Sequence, residues 1–152
     1  MTLRISTCIL CMGLALAACS RSDPDDTPDG AVRLWLEKME DAENDPRMMR
    51  ELYTLIGPEA RANLEERARR TGQLQGRRVE PHEMLAEGLF GLRFRPRTMR
   101  TNVSGERATV EILGGDPALE RTLVRCVRER GGWRVEPELP LPSALSSRDG
   151  GQ

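Results

Sequence analysis

Apolar residues recur every three or four positions in the first half of the chain, and this pattern predicts three helices. The first is expected to begin at Pro28 behind the N-cap residue Thr27, the second after Asn44-Asp45-Pro46, and the third at Pro58. We expect the third to end at Gly72, with a polar loop over residues 71–78 and one short helical turn after Pro81. The apolar faces include Ala31, Val32, Trp35, Leu36 and Met39 in the first helix and Ala60, Leu64 and Ala68 in the third.

In the second half the period of the pattern becomes two, which is typical of strands. Strands are predicted over residues 89–94, 99–103, 108–112, 121–130 and 133–136, with turns at the intervening glycines. The last hairpin leaves its register open. A loop of two or four residues places Val124 and Cys126 beside Val135, whereas a loop of three places Val127 there. Trp133 and Val135 face the core in either register.

Helices followed by hairpin-connected strands predict an α+β fold, with the helices packed on one face of an antiparallel sheet. Residues 27–142 are enough for one domain with one core. The Ser/Gly-rich residues 143–152 are predicted to form a disordered tail.

The amino terminus has the pattern of a secretion signal. A short basic stretch containing Arg4 precedes an apolar run over residues 5–16, and small residues follow it. Leu16-Ala17-Ala18-Cys19 resembles a lipobox, the processing motif of bacterial lipoproteins. The resemblance implies that residues 1–18 are removed and that Cys19 becomes a lipidated first residue. Cleavage without lipid and a retained membrane anchor are the alternatives.

The lipobox resemblance also implies that the protein is attached to a membrane, because several acyl chains on Cys19 would hold it there. Ser20 stands where an aspartate would favour the inner membrane, so we expect the outer membrane, with the domain facing the periplasm. Residues 19–26 are predicted to be an acidic tether that separates lipid and domain.

Charge argues against one class of partner. Without residues 1–18 the chain has 22 basic and 24 acidic residues, a balance that does not favour nucleic acid. Arginines nevertheless cluster, and Arg93, Arg95 and Arg97 would share one face of the strand predicted there, with Arg100 close by and Arg69, Arg70, Arg77 and Arg78 near them. This cluster is either a solvated surface or an anionic docking patch.

No residue pattern specifies a reaction or a cofactor. His82 is the only histidine and is expected at the surface or in a helix cap. After loss of Cys8 and Cys11 and acylation of Cys19, Cys126 alone remains, which we interpret as a buried strand residue, with pairing between chains as the alternative. One histidine and one cysteine cannot form a closed zinc site, and the acids at 23–29 lack calcium-loop spacing, so no metal is expected. Trp35 is expected to anchor the core, with stacking on a ligand as the alternative.

The folded part resembles the NTF2-like, cystatin-like lipoproteins of bacterial envelopes. The resemblance is carried by the start of the first helix with Trp35, by the junction at residues 52–61 and by two segments of the sheet, Val103-Ser104-Gly105-Glu106-Arg107-Ala108-Thr109-Val110 and Gly132-Trp133-Arg134-Val135. It implies a curved sheet around helices, often with a pocket between them, and it transfers no function by itself. We expect a non-catalytic module that binds an envelope protein or a small apolar ligand. An NTF2-like enzyme, such as an isomerase or dehydratase, and a structural assembly factor are the alternatives.

Overall fold

The computed structural model describes residues 23–42, 45, 47–85 and 92–140 and has an α+β fold, three helices followed by a four-stranded antiparallel sheet. The helices are α1 (Pro28–Ala42), α2 (Met48–Thr54) and α3 (Pro58–Gln75). The strands are β1 (Thr98–Ser104), β2 (Arg107–Leu113), β3 (Arg121–Glu129) and β4 (Gly132–Glu136). Two 3₁₀ turns, Pro24–Asp26 and Pro81–Met84, complete the architecture.

The sheet is a meander in which each strand pairs with the next, in the order β1-β2-β3-β4. Gly105 has φ 61° at the first position of the two-residue β1–β2 loop, as a type II′ turn requires. The β3–β4 hairpin also has a two-residue loop, so Cys126 lies opposite Val135 and Arg128 opposite Trp133. The structure therefore selects the first of the two registers that the sequence left open.

Residues 55–57 cover the outer edge of β4. Ile56 forms a parallel bridge with Val135, whose amide donates to Leu55 O at 2.9 Å and whose carbonyl accepts from Gly57 N at 2.8 Å. The link from α2 to α3 thus also joins the helices to the last strand.

The core lies between the helices and one face of the sheet. Trp133 and Val135 both point into it, and Trp35 is only 3% exposed, which confirms Trp35 as a core residue. The fully buried members are Leu52, Ile56, Leu64, Ile112, Val32, Val110 and Val135. The interface between helices and sheet is filled by these side chains.

Two helix predictions are confirmed and one is corrected. The Thr27 hydroxyl accepts from Gly30 N at 3.1 Å at the start of α1, and Ala60, Leu64 and Ala68 form the buried stripe of α3. However, α3 passes through Gly72 and continues to Gln75. It ends at Gly76 with φ 64°, because an αL C-terminal residue stops a helix and glycine adopts that conformation without a steric penalty.

The strand predicted at 89–94 is wrong for the residues that the structure describes there, since Leu92, Arg93 and Phe94 lie in an irregular segment. Leu92 and Phe94 instead pack against the core. Pro96 has no N–H for a ladder, and pairing begins only where Arg97 N donates to Leu113 O at 2.8 Å. Residues 89–91 lie outside the described chain.

The predicted acidic tether also needs correction, because its last part is folded. Pro24–Asp26 forms a turn beside β4, where Asp25 pairs with Arg134 and both side chains are about 15% exposed. Gly132 lies so close to Asp25 that a Cβ there would collide with it. We call this contact the amino-terminal clamp. It lies at the sheet end that carries the two hairpin turns, since Arg128 N donates to Glu106 O at 2.7 Å.

Candidate functional site

The candidate site arises because β4 is shorter than β3. Pairing between them ends at Arg125 and Glu136, and no described residue pairs with that side of residues 121–124. In the same strand, the amide of Arg128 donates a hydrogen bond to Glu106 O, on the side of β2. Backbone groups alternate in direction along a strand, so the even residues of β3 face β2 and the odd ones face β4. The N–H and C=O groups of Arg121 and Leu123 therefore point to an edge with which no described residue pairs.

A cavity of about 780 Å³ lies along this open edge. We call it the β3-edge groove, and its apolar lining is formed by Trp35, Leu36, Leu92, Phe94, Leu119, Leu123, Val124 and Pro137. Leu119 is 84% exposed and Leu123 is 58% exposed, so the groove presents large apolar side chains to water. Its volume lies within the range of small-ligand sites.

Charged side chains form the rim of the groove: Arg93, Arg121, Arg125, Glu136 and Glu138. Arg121 pairs with Glu111 at 2.6 Å, and Arg100 lies 3.9 Å from the same carboxylate. Arg125 lies 3.9 Å from Glu138, whose side chain is 90% exposed. The arginines thus have weak or shared acidic partners at this rim.

The predicted docking patch is placed differently from the expectation. Arg93, Arg95 and Arg97 are exposed but precede β1, so they do not share a strand face. None of them has an ion pair with an acid in the described chain, whereas Arg100 on β1 approaches Glu111. Of the four, only Arg93 lines the groove. The physical reason is the irregular segment before Arg97, which replaces the predicted strand.

The four arginines expected nearby form ion pairs with acids on their own segments. Arg69 and Arg70 both bond to Glu66, at 2.7 and 2.5 Å, and these hydrogen bonds lower the pKa of that carboxyl to about 2. Arg77 pairs with Glu83 and Arg78 with Glu80. These residues form an ion-paired surface in the described chain.

Neither acid of the groove is placed as a proton carrier. The Glu136 carboxylate accepts from the amides of Glu59 at 3.1 Å and Ala60 at 3.0 Å, so it caps the start of α3. Glu138 points into water. General acid–base catalysis needs a positioned titratable group, and the described lining contains no histidine, cysteine or aspartate.

The two reactive residue types of the sequence lie elsewhere. Cys126 is 2% exposed on β3, and burial raises the pKa of its thiol to about 12. It is free, as expected for a buried strand residue. His82 lies in the Pro81–Met84 turn, which a Glu80–Glu83 capping box stabilises, and its Nε2 accepts from Arg50 Nε at 3.4 Å.

A second cavity, of about 320 Å³, lies on the outer face of the sheet beside the start of α3. Its lining is mixed: the polar residues Glu59, Asn102, Ser104, Arg107, Thr109, Arg125 and Glu136 contribute, and so do Pro58, Ala108, Cys126 and Val127. No helix of the described residues is long and apolar enough to cross a membrane, and these residues contain no cluster of three metal-ligating side chains.

The comparisons with known proteins assign no family. No family model matches the chain, and no curated protein or solved structure matches it significantly. The predicted lipidation site Cys19 and the motif residues Leu16, Ala17 and Ala18 lie outside the described chain.

Sequence reasoning did not find the β3-edge groove, although one signal for it was present. The strands predicted for the last hairpin already differed in length, 121–130 against 133–136. Unequal partners leave part of the longer strand unpaired. What the sequence could not supply was the placement of Leu92 and Phe94 beside that edge.

Proposed function

We propose that this protein is a lipid-anchored, non-catalytic binding protein of the bacterial envelope, and that its domain binds an envelope protein through the β3-edge groove. The observation that carries the proposal is an apolar groove beside an unpaired strand. Exposed leucines, open backbone groups and arginines with few acidic partners occur together there. Exposed apolar side chains beside an unpaired strand edge favour an interaction site.

The same lining argues against the alternative of an enzyme. An NTF2-like isomerase or dehydratase would need a proton carrier inside its pocket, whereas Glu136 already caps α3. A structural assembly factor would be supported by an apolar outer sheet face. That face instead carries mainly polar side chains, Arg100, Asn102, Arg107, Glu111 and Arg125, with the exposed Leu123 at its β3 edge.

The NTF2-like, cystatin-like assignment belongs to this proposal. Its support is the order of elements, three helices before an antiparallel meander that packs on them. The lipid anchor is supported by Leu16-Ala17-Ala18-Cys19 behind an apolar run. Outer-membrane retention with the domain in the periplasm is supported by Ser20.

The anchor is tested by expressing the full chain in a bacterium and measuring the mass of its amino-terminal peptide. We expect diacylglycerol and an acyl chain on Cys19, and loss of both in Cys19→Ser. An unmodified amino terminus generated by cleavage before Cys19 would remove the anchor from the proposal.

The binding site is tested by placing a photo-reactive amino acid at Leu119 or Leu123 in the membrane-bound protein. Val103 and Leu74 serve as matched controls, because they are 52% and 74% exposed but do not line the groove. We expect one crosslinked envelope protein at 119 and 123 and none at 103 and 74. Equal crosslinking at all four positions would mean that the groove is not the binding site.

A further inference from the structure

The open edge of β3 has the geometry of a site for one more strand. Beyond Glu136 no described residue pairs with β3, and the N–H and C=O groups of Arg121 and Leu123 have no partner on that side in the described chain. An extended peptide laid there would continue the line of β4 and satisfy these groups. Main-chain hydrogen bonds to a sheet edge are a common mode of peptide recognition.

The side chains beside that edge set the chemistry of such a peptide. Successive side chains of a strand point to opposite faces. The side chains of the peptide that point toward the helices would enter the apolar part of the groove, between Leu36, Phe94 and Val124. The side chains of the peptide that point away from the helices would lie near Arg125. The acidic partner of Arg125 in the described chain is Glu138, at 3.9 Å. Arg93 at the rim has no ion pair with an acid in the described chain.

We propose that the β3-edge groove binds an extended peptide segment of a partner protein, with alternating apolar and acidic residues, by adding it to the sheet as a strand beside residues 121–124. This inference rests on the proposed function and specifies the ligand class of the same site. Backbone bonds to Arg121 and Leu123 would provide affinity. The apolar groove would favour apolar residues on one face of the peptide, and the arginines would favour acidic residues on the other.

Other occupants fit less well. A small apolar ligand would leave the backbone groups of Arg121 and Leu123 without partners. The chain's own tail leaves from Pro140, whose carbonyl accepts from Asn63 at 3.1 Å and Arg67 at 2.6 Å on α3. That tail contains a single acid, Asp149, and no alternation of apolar and acidic residues.

The test uses the full-length lipidated protein in nanodiscs and a synthetic heptapeptide that alternates valine with glutamate. Its control is the same peptide N-methylated at the amides that would face β3, which keeps every side chain and removes strand hydrogen bonding. Because at least one bond is lost, we expect the N-methylated peptide to bind about tenfold more weakly or worse. We also expect the amides of Arg121 and Leu123 to exchange hydrogen more slowly in the complex.

Two protein variants separate backbone from charge recognition. Leu123→Pro removes an N–H that the sheet itself does not use, so it should abolish binding while the far-ultraviolet circular dichroism stays unchanged. Arg125→Gln should weaken binding several-fold and reduce its salt dependence, whereas Arg95→Gln, outside the groove, should not. If Leu123→Pro fails to fold, the N-methylated peptide alone decides the question.

Equal affinity for both peptides, or binding of a fluorescent fatty acid with no peptide binding, would overturn strand addition. Either result leaves the proposed function standing if the crosslinks at positions 119 and 123 persist. Loss of those crosslinks would instead refute the binding site itself. Self-association of the protein with no peptide binding would also overturn the inference, since it would identify a second copy as the occupant.

Discussion

At the scale of the residue, Cys126 shows how burial controls reactivity. The thiol is enclosed on β3 near the Pro28 carbonyl, 3.9 Å away, and desolvation raises its pKa to about 12. The thiolate is the reactive form of cysteine. Burial thereby protects this thiol from disulfide exchange, and it would do so in an oxidising compartment as well.

We therefore expect Cys126 to resist a water-soluble disulfide reagent at pH 8 in the folded protein and to react within seconds in urea. Peptide mapping by mass spectrometry identifies the modified site. Since the thiol ionises more easily in the unfolded chain, stability should fall as pH rises above about 8.5 toward 12. Fast labelling of the native protein would contradict this assignment.

Glu66 makes the stability of the fold depend on pH in the acidic range, as Cys126 does in the basic range. Hydrogen bonds from Arg69 and then Arg70 lower the pKa of its carboxyl to about 2. Its stabilising contribution is fully present above the ordinary value near 4.5 and is lost as pH falls toward 2. Glu66→Gln should thus be less stable than wild type at pH 7, and the difference should be clearly smaller at pH 2.5. Urea unfolding at both pH values measures the difference, and Glu106→Gln, in the exposed β1–β2 turn, is the control.

At the scale of the element, the start of α3 depends on a residue from the other end of the domain. Gly57 precedes the helix without a side-chain cap, and the carboxylate of Glu136 replaces one. Gly57 also leaves room for this carboxylate, since a Cβ there would collide with it. Helix α3 and strand β4 therefore stabilise each other.

Glu136→Ala should lower the free energy of unfolding by about 0.5–2 kcal/mol, the range for loss of a helix N-cap. Glu138→Ala is the matched control because that side chain is 90% exposed. Chemical denaturation followed by circular dichroism measures both. A loss of equal size in the two variants would show that the cap contributes nothing.

Elements that local rules define were predictable from the sequence, and those that depend on distant contacts were not. The start of α1 at Thr27 and Pro28, the apolar stripe of α3 and the β1–β2 turn follow from capping, periodicity and glycine. The sequence predicts the end of α3 at Gly72, but Gly72 stays helical and Gly76 adopts the αL conformation that ends the helix. The strand expected before Pro96 had the correct alternation, but Leu92 and Phe94 pack against the core instead of pairing.

At the scale of the whole molecule, the amino-terminal clamp fixes where the chain enters the domain. If Cys19 is lipidated, only residues 19–22 separate it from the folded turn, and four residues span at most about 14 Å. The hairpin-turn end of the sheet would then lie close to the bilayer. The β3-edge groove begins at the opposite end of β3, about 20 Å along the sheet, and would face away from that membrane.

Fluorescence energy transfer from a labelled cysteine to a lipid dye tests this orientation in nanodiscs. We expect a label at Glu106→Cys to transfer strongly and one at Leu119→Cys weakly, while buried Cys126 stays unlabelled. A flexible Gly/Ser linker inserted after residue 22 should make the two signals similar. Equal transfer in the protein without the linker would show that the clamp does not orient the domain.

Strand β4 makes most of the contacts between the amino-terminal elements and the sheet, and this has a consequence for the order in which the protein folds. Arg134 holds Asp25 across 109 positions, Glu136 caps α3 across 76 and 77, and Val135 bridges Ile56. Short helices are marginal on their own, so the early part of the chain lacks stable partners until β4 has been delivered. A chain exported from its amino terminus would thus remain unfolded until the final strand crosses the membrane, which is the state that a secretion channel requires.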